Sequence, residues 1–301
     1  MRIVVLLGGW SVEREVSFSS GEAVCKALLE LGHEVISIDP NPDLRLFIAQ
    51  IDDAKPDVIF NALHGRYGED GRIPAILDVL KIPYTHSGVL SSSVAMDKVV
   101  SRKIFQGLGI DVAKGGVFTP TQIKQGHVMT PPYVIKPICD GSSIGVAIIQ
   151  TDEDLEKWSH NDIFGKEYLI EDYIPGHEVQ VAIINGKSLG VIELVPHTGF
   201  YDYETKYTQG LCTHLMPAPL PQNIEEYLLS ETEKVFQSLN CRGIARADWR
   251  YDDKTSRIVL LEINTHPGFT PLSLVPEIAA YKNISFNQIV QMLIEMADYD
   301  H

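Results

Sequence analysis

Asp248, Glu262 and Asn264 are the residues whose types and spacing first suggest chemistry. The segments 243–250 and 258–268 read as two strands joined by a polar turn, Asp252-Asp-Lys-Thr-Ser256. Alternation places Arg246 and Asp248 on one face of the first strand, with Ala245, Ala247 and Trp249 opposite. In the second strand Leu260, Glu262 and Asn264 share a face, against Val259, Leu261 and Ile263. A turn centred near residue 255 sets Asp248 across from Glu262, and directly opposed residues lie about 4.5–5.5 Å apart. Two carboxylates that close need a positive charge between them. A hard divalent cation such as Mg²⁺ suits an all-oxygen set, and Asn264 adds a neutral oxygen. A solvated acidic face is the alternative.

Lys136 lies inside the strand-like run Tyr133-Val-Ile-Lys-Pro-Ile138, and a buried lysine requires a partner. It leads to Asp140-Gly-Ser-Ser-Ile-Gly145, a hairpin tip whose amides and hydroxyls, Ser142 and Ser143 among them, suit phosphate. A plain flexible hairpin is the rival. Lys98 falls on the polar side of a helix expected over about 91–105, where solvation is the default. The strand-like run 167–174 offers an acid, Glu171, and an exposed main-chain edge for an adenine and a ribose.

The elements that position these groups follow from periodicity. Ile3–Leu7 is a continuous apolar run, as in a buried parallel strand, broken by Gly8-Gly9. A helix from about Ser17 stops at Gly32, and strands follow at 33–38 and 57–63. The alternation predicts a doubly wound α/β unit over about residues 1–90. Such sheets bind ligands at strand-to-loop junctions. Two junctions carry charge here, Ser11-Val-Glu-Arg-Glu15 and His64-Gly-Arg-Tyr-Gly-Glu-Asp-Gly71. Glu15 suits a substrate ammonium or answers the helix macrodipole, and His64 suits a site or the core. Residues 197–214 show no strong period, and an aromatic-rich loop of that length reads as a lid, mobile until nucleotide binds. The helices over 224–239 and after Ser285 read as core by spacing.

The chain has 301 residues and a net charge of −15. That balance disfavours nucleic acid and anionic membranes as partners. Four cysteines without metal or C-x-x-C spacing read as a reduced, cytoplasmic protein. No apolar run approaches the roughly 20 residues of a membrane span. The G-x-G-x-x-G spacing of dinucleotide folds is absent after the first strand, which argues against an oxidoreductase.

Taken together, the motifs resemble those of the D-alanine–D-alanine ligases of the ATP-grasp superfamily, nearly end to end. The resemblance rests on segments 8–17 and 64–71, Met96-Asp-Lys98, Lys136-Pro with 141–145, Tyr201–Tyr207, Arg246-Ala-Asp248, 262–268 and Ser273-Leu-Val-Pro276. It implies an ATP-grasp, three-domain α+β architecture divided at 1–95, 96–178 and 179–301. The first domain is the doubly wound parallel sheet, and the lid belongs to the third.

It also implies ligation of two D-alanines, through an acyl phosphate, to D-alanyl-D-alanine for peptidoglycan synthesis. ATP and two Mg²⁺ (or Mn²⁺) ions would be needed, and a homodimer is implied. Glu15 would hold the first substrate's ammonium near His64, with Ser142 and Tyr207 linking Glu15 to the lid. Arg246 and the Gly268 amide would hold the oxyanion, in preference to Arg246 serving as counter-ion to the carboxylates. Lys98, Lys136, Ser142 and Ser143 would contact phosphates, and Lys206 substrate; Glu171, Tyr173 and Ile174 would line the adenine pocket, with Glu178 on the ribose. Ser273 and Leu274 would take the second carboxylate. Asp248, Glu262 and Asn264 would hold metal.

Some positions depart from the family pattern. Trp249 and Arg250 replace an aliphatic pair, His266 replaces a serine or glutamine, and Leu272 replaces a polar residue. Acceptors such as D-serine or D-lactate are therefore the near alternatives, although Lys206-Tyr207 argues against the depsipeptide type. A nucleotide-binding module without catalysis would need a lost metal ligand or a lost Arg246.

Overall fold

In a computed structural model of the chain, residues 1–160, 165–197, 199, 205, 206, 208, 210–270 and 272–300 are described. They form three sheets, one parallel and two antiparallel. The parallel sheet comprises β1 (Arg2–Leu6), followed by helix α1 (Arg14–Glu30), β2 (Glu34–Ile38), helix α2 (Leu44–Ala54) and β3 (Val58–Asn61). Its order is β2-β1-β3. The apolar run of β1 is buried on both faces. Ile3 and Val5 pack with α1 and C-terminal segments, Val4 and Leu6 with α2 and helix α3 (Arg72–Leu80).

α1 starts about one turn before the expected Ser17. Ser11 Oγ accepts the Glu13 N–H at 3.1 Å, and the Ser17 N–H reaches the Glu13 carbonyl at 3.0 Å. The turn that opens the helix is therefore made by polar residues, which hydrophobic period does not register. The single helix expected over 91–105 is two, α4 (Val89–Met96) and α5 (Lys98–Gly107). Asp97 is extended between them (ψ 101°) and caps α5 through the Val99 and Val100 amides at 2.9 and 3.0 Å.

The central sheet contains β4 (Gly115–Phe118), β5 (Tyr133–Pro137), β6 (Ala147–Ile149) and β7 (Tyr168–Asp172), in the order β4-β7-β5-β6. Helices α6 (Pro120–Lys124) and α7 (Asp152–His160) lie between its strands in sequence, and Leu155 and Trp158 of α7 join its core. The third sheet takes β8 (His177–Ile184), β9 (Lys187–Pro196) and β10 (Cys212–Leu215), then helix α8 (Gln222–Ser238), then β11 (Ile244–Asp252) and β12 (Arg257–Asn264). Its order is β10-β9-β8-β11-β12. Helices α9 (Leu274–Tyr281) and α10 (Phe286–Glu295) follow and pack back on the parallel sheet. Ser285 caps α10 in a capping box with Gln288.

Two local expectations change. The end of the supposed lid is strand β10, with Cys212 opposite Pro196 and Leu215 opposite Glu193. As a four-residue edge strand, half-buried and half-exposed in alternation, it takes its hydrogen bonds from β9 without needing an apolar pattern. The second change is in the hairpin. Asp248 does face Glu262, and Arg246 faces Asn264, but the register shifts between Asp248 and Trp249 so that Trp249 faces Leu260. Leu261 is the extra residue of a β-bulge. Leu260 therefore joins Trp249 in the core, and Leu261 lines a cavity beside Glu262, the reverse of strict alternation.

Candidate active site

At the ends of β1 and β3 the parallel sheet delivers two loops to one small cavity of about 70 Å³. Glu13, not Glu15, points into it. Glu13 is buried and accepts a short hydrogen bond from the Ser142 hydroxyl across the domain gap. Glu15 sits exposed in the first turn of α1. Two residues apart on a helix, side chains diverge by about 200°, so only one of the two acids can face inward. Gly65 has φ 69°, and a Cβ there would lie 2.5 Å from the Glu13 carboxylate, so this loop needs glycine to admit the acid.

His64 is buried in the same wall. Its Nε2 lies 2.8 Å from Ser20 Oγ and its Nδ1 3.1 Å from Glu69 Oε1. Burial and the Glu69 charge push the Glu13 carboxyl up to about 7, against the pull of Ser142, His64 and Lys206.

Behind this wall lies an element that the sequence did not single out as a unit. His266 stacks on His86 at 3.9 Å between centroids, and His64 meets His266 edge-on at 5.7 Å. Burial and the neighbouring His64 hold His86 down at about 3, and burial beside His86 holds His266 well below its ordinary range. Low values for His86 and His266 favour their neutral forms, and their stack joins the segment after α3 to the loop after β12.

Arg246, Gly268 and Lys206 line the same cavity. A Cβ on Gly268 would come 2.8 Å from Ser273 Oγ, so a side chain there would displace that hydroxyl. Contrary to the expectation from sequence, Arg246 is also a counter-ion. Its Nε and Nη2 donate to the Asp248 carboxylate at 2.7 and 2.8 Å, because residues two apart on a strand share a face. Burial, and then the Arg246 charge, hold Lys206 below the ordinary lysine range. Tyr207 lies outside the described residues, as does much of the supposed lid. The Ser273 hydroxyl accepts the Thr270 N–H at 2.8 Å, and the Leu274 side chain is buried in the core at the start of α9.

Lys98 is buried rather than solvated. As the first residue of α5 it turns inward and donates to the Asp140 carbonyl at 2.8 Å, and its Nζ lies 3.1 Å from Glu262. Burial alone would raise the Glu262 carboxyl, but Lys98, Lys206, Lys136 and Arg246 outweigh it and bring it down to about 2. Lys136 is buried as expected, paired with Glu171 in a short contact. Arg102 also reaches Glu171, at 3.2 Å, and was not singled out from sequence. Its signal was present, because Lys98 and Arg102 are four apart on one helix and therefore share a face.

Lys98, Lys136, Glu171 and Glu262 border a larger cavity of about 320 Å³ between the two antiparallel sheets, lined also by Ser143, Tyr173, Ile174 and Glu178. The β5–β6 loop closes one side with Ser142 and Ser143 in left-handed conformations (φ 51° and 58°), which turn backbone amides along a tight bend. Burial raises the Glu178 carboxyl above its usual range, against the charges of Arg250 and Lys206.

Asp248 and Glu262 line this cavity, Glu262 and Asn264 line the small one, and Asn264 Oδ1 accepts the His266 N–H at 2.7 Å. Among the described residues no three His, Cys, Asp or Glu gather as a self-sufficient metal cage. Two carboxylates and an amide fit Mg²⁺, which commonly takes one or two carboxylates and completes its shell with phosphate and water.

Residues 104–295 match the family described as D-ala D-ala ligase C-terminus. The chain is 48% identical over 299 residues to a D-alanine–D-alanine ligase from Rickettsia africae (strain ESF-5), covering 99% of this chain and 92% of that one. It is similar to the crystal structure of D-alanine–D-alanine ligase from Bacillus anthracis, at 32% identity and TM-score 0.84, over 98% and 97% of the two chains. The crystal structure of the Bacillus anthracis ligase complexed with ATP gives TM-score 0.80 at 32% identity, over 98% and 96%. The chain belongs to the D-alanine–D-alanine ligase family.

Proposed function

We propose that the protein joins two D-alanines into D-alanyl-D-alanine at the expense of ATP, supplying a peptidoglycan precursor in the cytoplasm. The observation that carries this reading is the shared rim of the two cavities. Lys98, Asp140, Gly141, Lys206 and Glu262 border both. An amino acid in the small cavity and a γ-phosphate in the large one meet there, in a setting already rich in cations.

Glu13 holds the first ammonium, with Ser142 and His64 fixing the acid's position. The substrate carboxylate oxygen attacks the γ-phosphorus, the bond to the ADP oxygen breaks, and an acyl phosphate results. Lys98, Lys136 and the Ser142–Ser143 bend neutralise phosphate charge. Asp248, Glu262 and Asn264 would hold Mg²⁺ or Mn²⁺, which supplies charge neutralisation on the phosphates. The amine of the second D-alanine, having shed a proton, attacks the acyl carbon. Arg246 and the Gly268 amide stabilise the tetrahedral oxyanion, and phosphate leaves. Ser273 and the backbone at Leu274 receive the second carboxylate. Glu171, Tyr173 and Ile174 face the base, and Glu178 the ribose.

The three sheets favour a division into three units as at 1–95, 96–178 and 179–301, with the last boundary falling inside β8, which starts at His177. Among the described residues the four cysteines are free and no helix is long and apolar enough to cross a membrane. Family likeness supports a homodimer, which sedimentation at micromolar concentration would test. The deciding assay is D-alanine-dependent ADP formation with the product identified, with D-serine and D-lactate as competing acceptors. D-alanyl-D-alanine as the main product is expected, and a preference for D-lactate or D-serine would overturn the acceptor assignment.

A further inference from the structure

Arg250 stands two residues beyond Asp248 on β11, directly opposite Glu178 on β8, and lines the larger cavity. Its guanidinium is mostly buried, and each of its three nitrogens has a partner. Nη1 donates to Glu178 Oε2 at 3.0 Å, Nε to the Ile174 carbonyl at 3.0 Å and Nη2 to the Gly176 carbonyl at 3.1 Å. The guanidinium carbon also lies 5.8 Å from the centre of the Tyr173 ring. One side chain therefore ties the β7–β8 link, the neighbouring tyrosine and the Glu178 carboxylate into a single unit.

The arrangement has a chemical direction. A carboxylate held by one oxygen presents its other oxygen at a fixed place, as an acceptor for hydroxyl donors. An aliphatic side chain at 250 offers no donor. It would leave Glu178 free to rotate and two carbonyls to find other partners. Lysine would supply the charge but not the planar fork that reaches three acceptors at once.

We propose that Arg250 is a positioning residue for the nucleotide, aiming Glu178 at a ribose hydroxyl and fixing the 173–176 segment against which the base lies. The inference rests on the reading above that this cavity takes ATP with its ribose toward Glu178. It adds a determinant on β11, two residues beyond Asp248.

The test compares Arg250→Met, Arg250→Lys, Glu178→Gln and the Arg250→Met/Glu178→Gln double variant with the unmodified protein. Each is assayed with ATP, 2′-deoxy-ATP and 3′-deoxy-ATP, and its thermal midpoint is recorded. In Arg250→Met the KM for ATP rises about tenfold with kcat and the D-alanine KM little changed, the loss of one charge-assisted hydrogen bond. The preference for ATP over the more discriminated deoxy analogue shrinks, and Arg250→Lys restores only part of it. Adding Glu178→Gln to Arg250→Met costs no further discrimination, because both act on one contact.

A purely structural role would lower the thermal midpoint without altering ribose discrimination, and that result overturns the proposal. If Arg250→Met does not fold, unchanged discrimination in Arg250→Lys or in Glu178→Gln overturns it equally. Absence of ATP binding by the unmodified protein would instead sink the nucleotide reading itself.

Discussion

The two cavities manage charge in opposite ways. In the small one, of about 70 Å³, Glu13 and Glu69 crowd together and burial keeps Glu13 hungry for a proton, with its carboxyl at about 7. In the large one, of about 320 Å³, four acids each have a lysine or arginine against them: Glu171 has Lys136 and Arg102, Glu178 has Arg250, Glu262 has Lys98, and Asp248 has Arg246. On the proposed reading, Glu13 in the first cavity awaits a substrate ammonium. In the second, Lys98, Lys136 and Arg250 already rest on carboxylates, so a phosphate that binds there on the proposed reading competes with those partners. A buried acid awaiting a cation selects a small cationic ligand, and a lattice of paired charges accepts a polyanion without leaving charge stranded.

The contrast can be broken or sharpened by substitution. Arg246→Met should have the largest effect, lowering kcat by about 10²–10³ as an oxyanion donor is lost, with a smaller change in the ATP KM. A loss confined to ATP affinity would reassign Arg246 to the nucleotide side. Glu13→Gln should raise the D-alanine KM by about two orders of magnitude, the scale of a lost buried charge partner, and leave ATP binding alone. Equal weakening of ATP binding would mean that the two cavities are not separate in function.

Glu171→Gln tests the paired cavity through stability. It strips the charge that faces Lys136 and Arg102, and should cost about 3 kcal/mol in urea unfolding. A change below about 0.5 kcal/mol would show that the cluster is already hydrated in solution.

Proton linkage should show the same opposition. The folded Glu13 carboxyl lies above its unfolded value, so its contribution is full below about pH 4.5 and is lost as pH rises through about 7. The folded Glu262 carboxyl lies below its unfolded value, so its contribution is full above about pH 4.5 and is lost as pH falls toward about 2. The unfolding midpoint in urea between pH 5 and 8 should therefore rise in Glu13→Gln relative to the unmodified protein, increasingly toward pH 8. A parallel offset at every pH would remove Glu13 as the titrating group. Glu15→Gln should have the smallest effect, leaving kcat and KM within about twofold, as expected of an exposed side chain.

The hairpin was legible in the sequence because both strands and their turn are local, and alternation alone put Asp248 opposite Glu262. Lys136 was legible because an apolar strand cannot hide a lysine without a partner. What escaped depended on single residues or distant loops. The bulge at Leu261 leaves no mark in composition, yet it exchanges the faces of Leu260 and Leu261. The choice between Glu13 and Glu15 was within reach, because Glu13, Ser17, Ser20, Val24 and Leu28 follow one helical stripe and the last four are buried with it. Hydrophobic period underweights that stripe, since its first three members are polar. His86 could not be found locally, because its meaning comes from stacking on His266, 180 positions later, once three loops converge.

Strand β11 acts as a ruler for the whole reaction. Arg246, Asp248 and Arg250 occupy alternate places on one face, spaced about 7 Å apart by the rise of an extended chain. On the proposed reading they address in turn the forming peptide bond, the phosphates and, through Glu178, the sugar of the nucleotide. The distance from acyl carbon to ribose is thus written into consecutive backbone steps and not into side-chain reach. Such a ruler tolerates a change of side chain at any mark. It does not tolerate a shift of frame, because one residue inserted or deleted between 246 and 250 would send marks on one side of the change into the core.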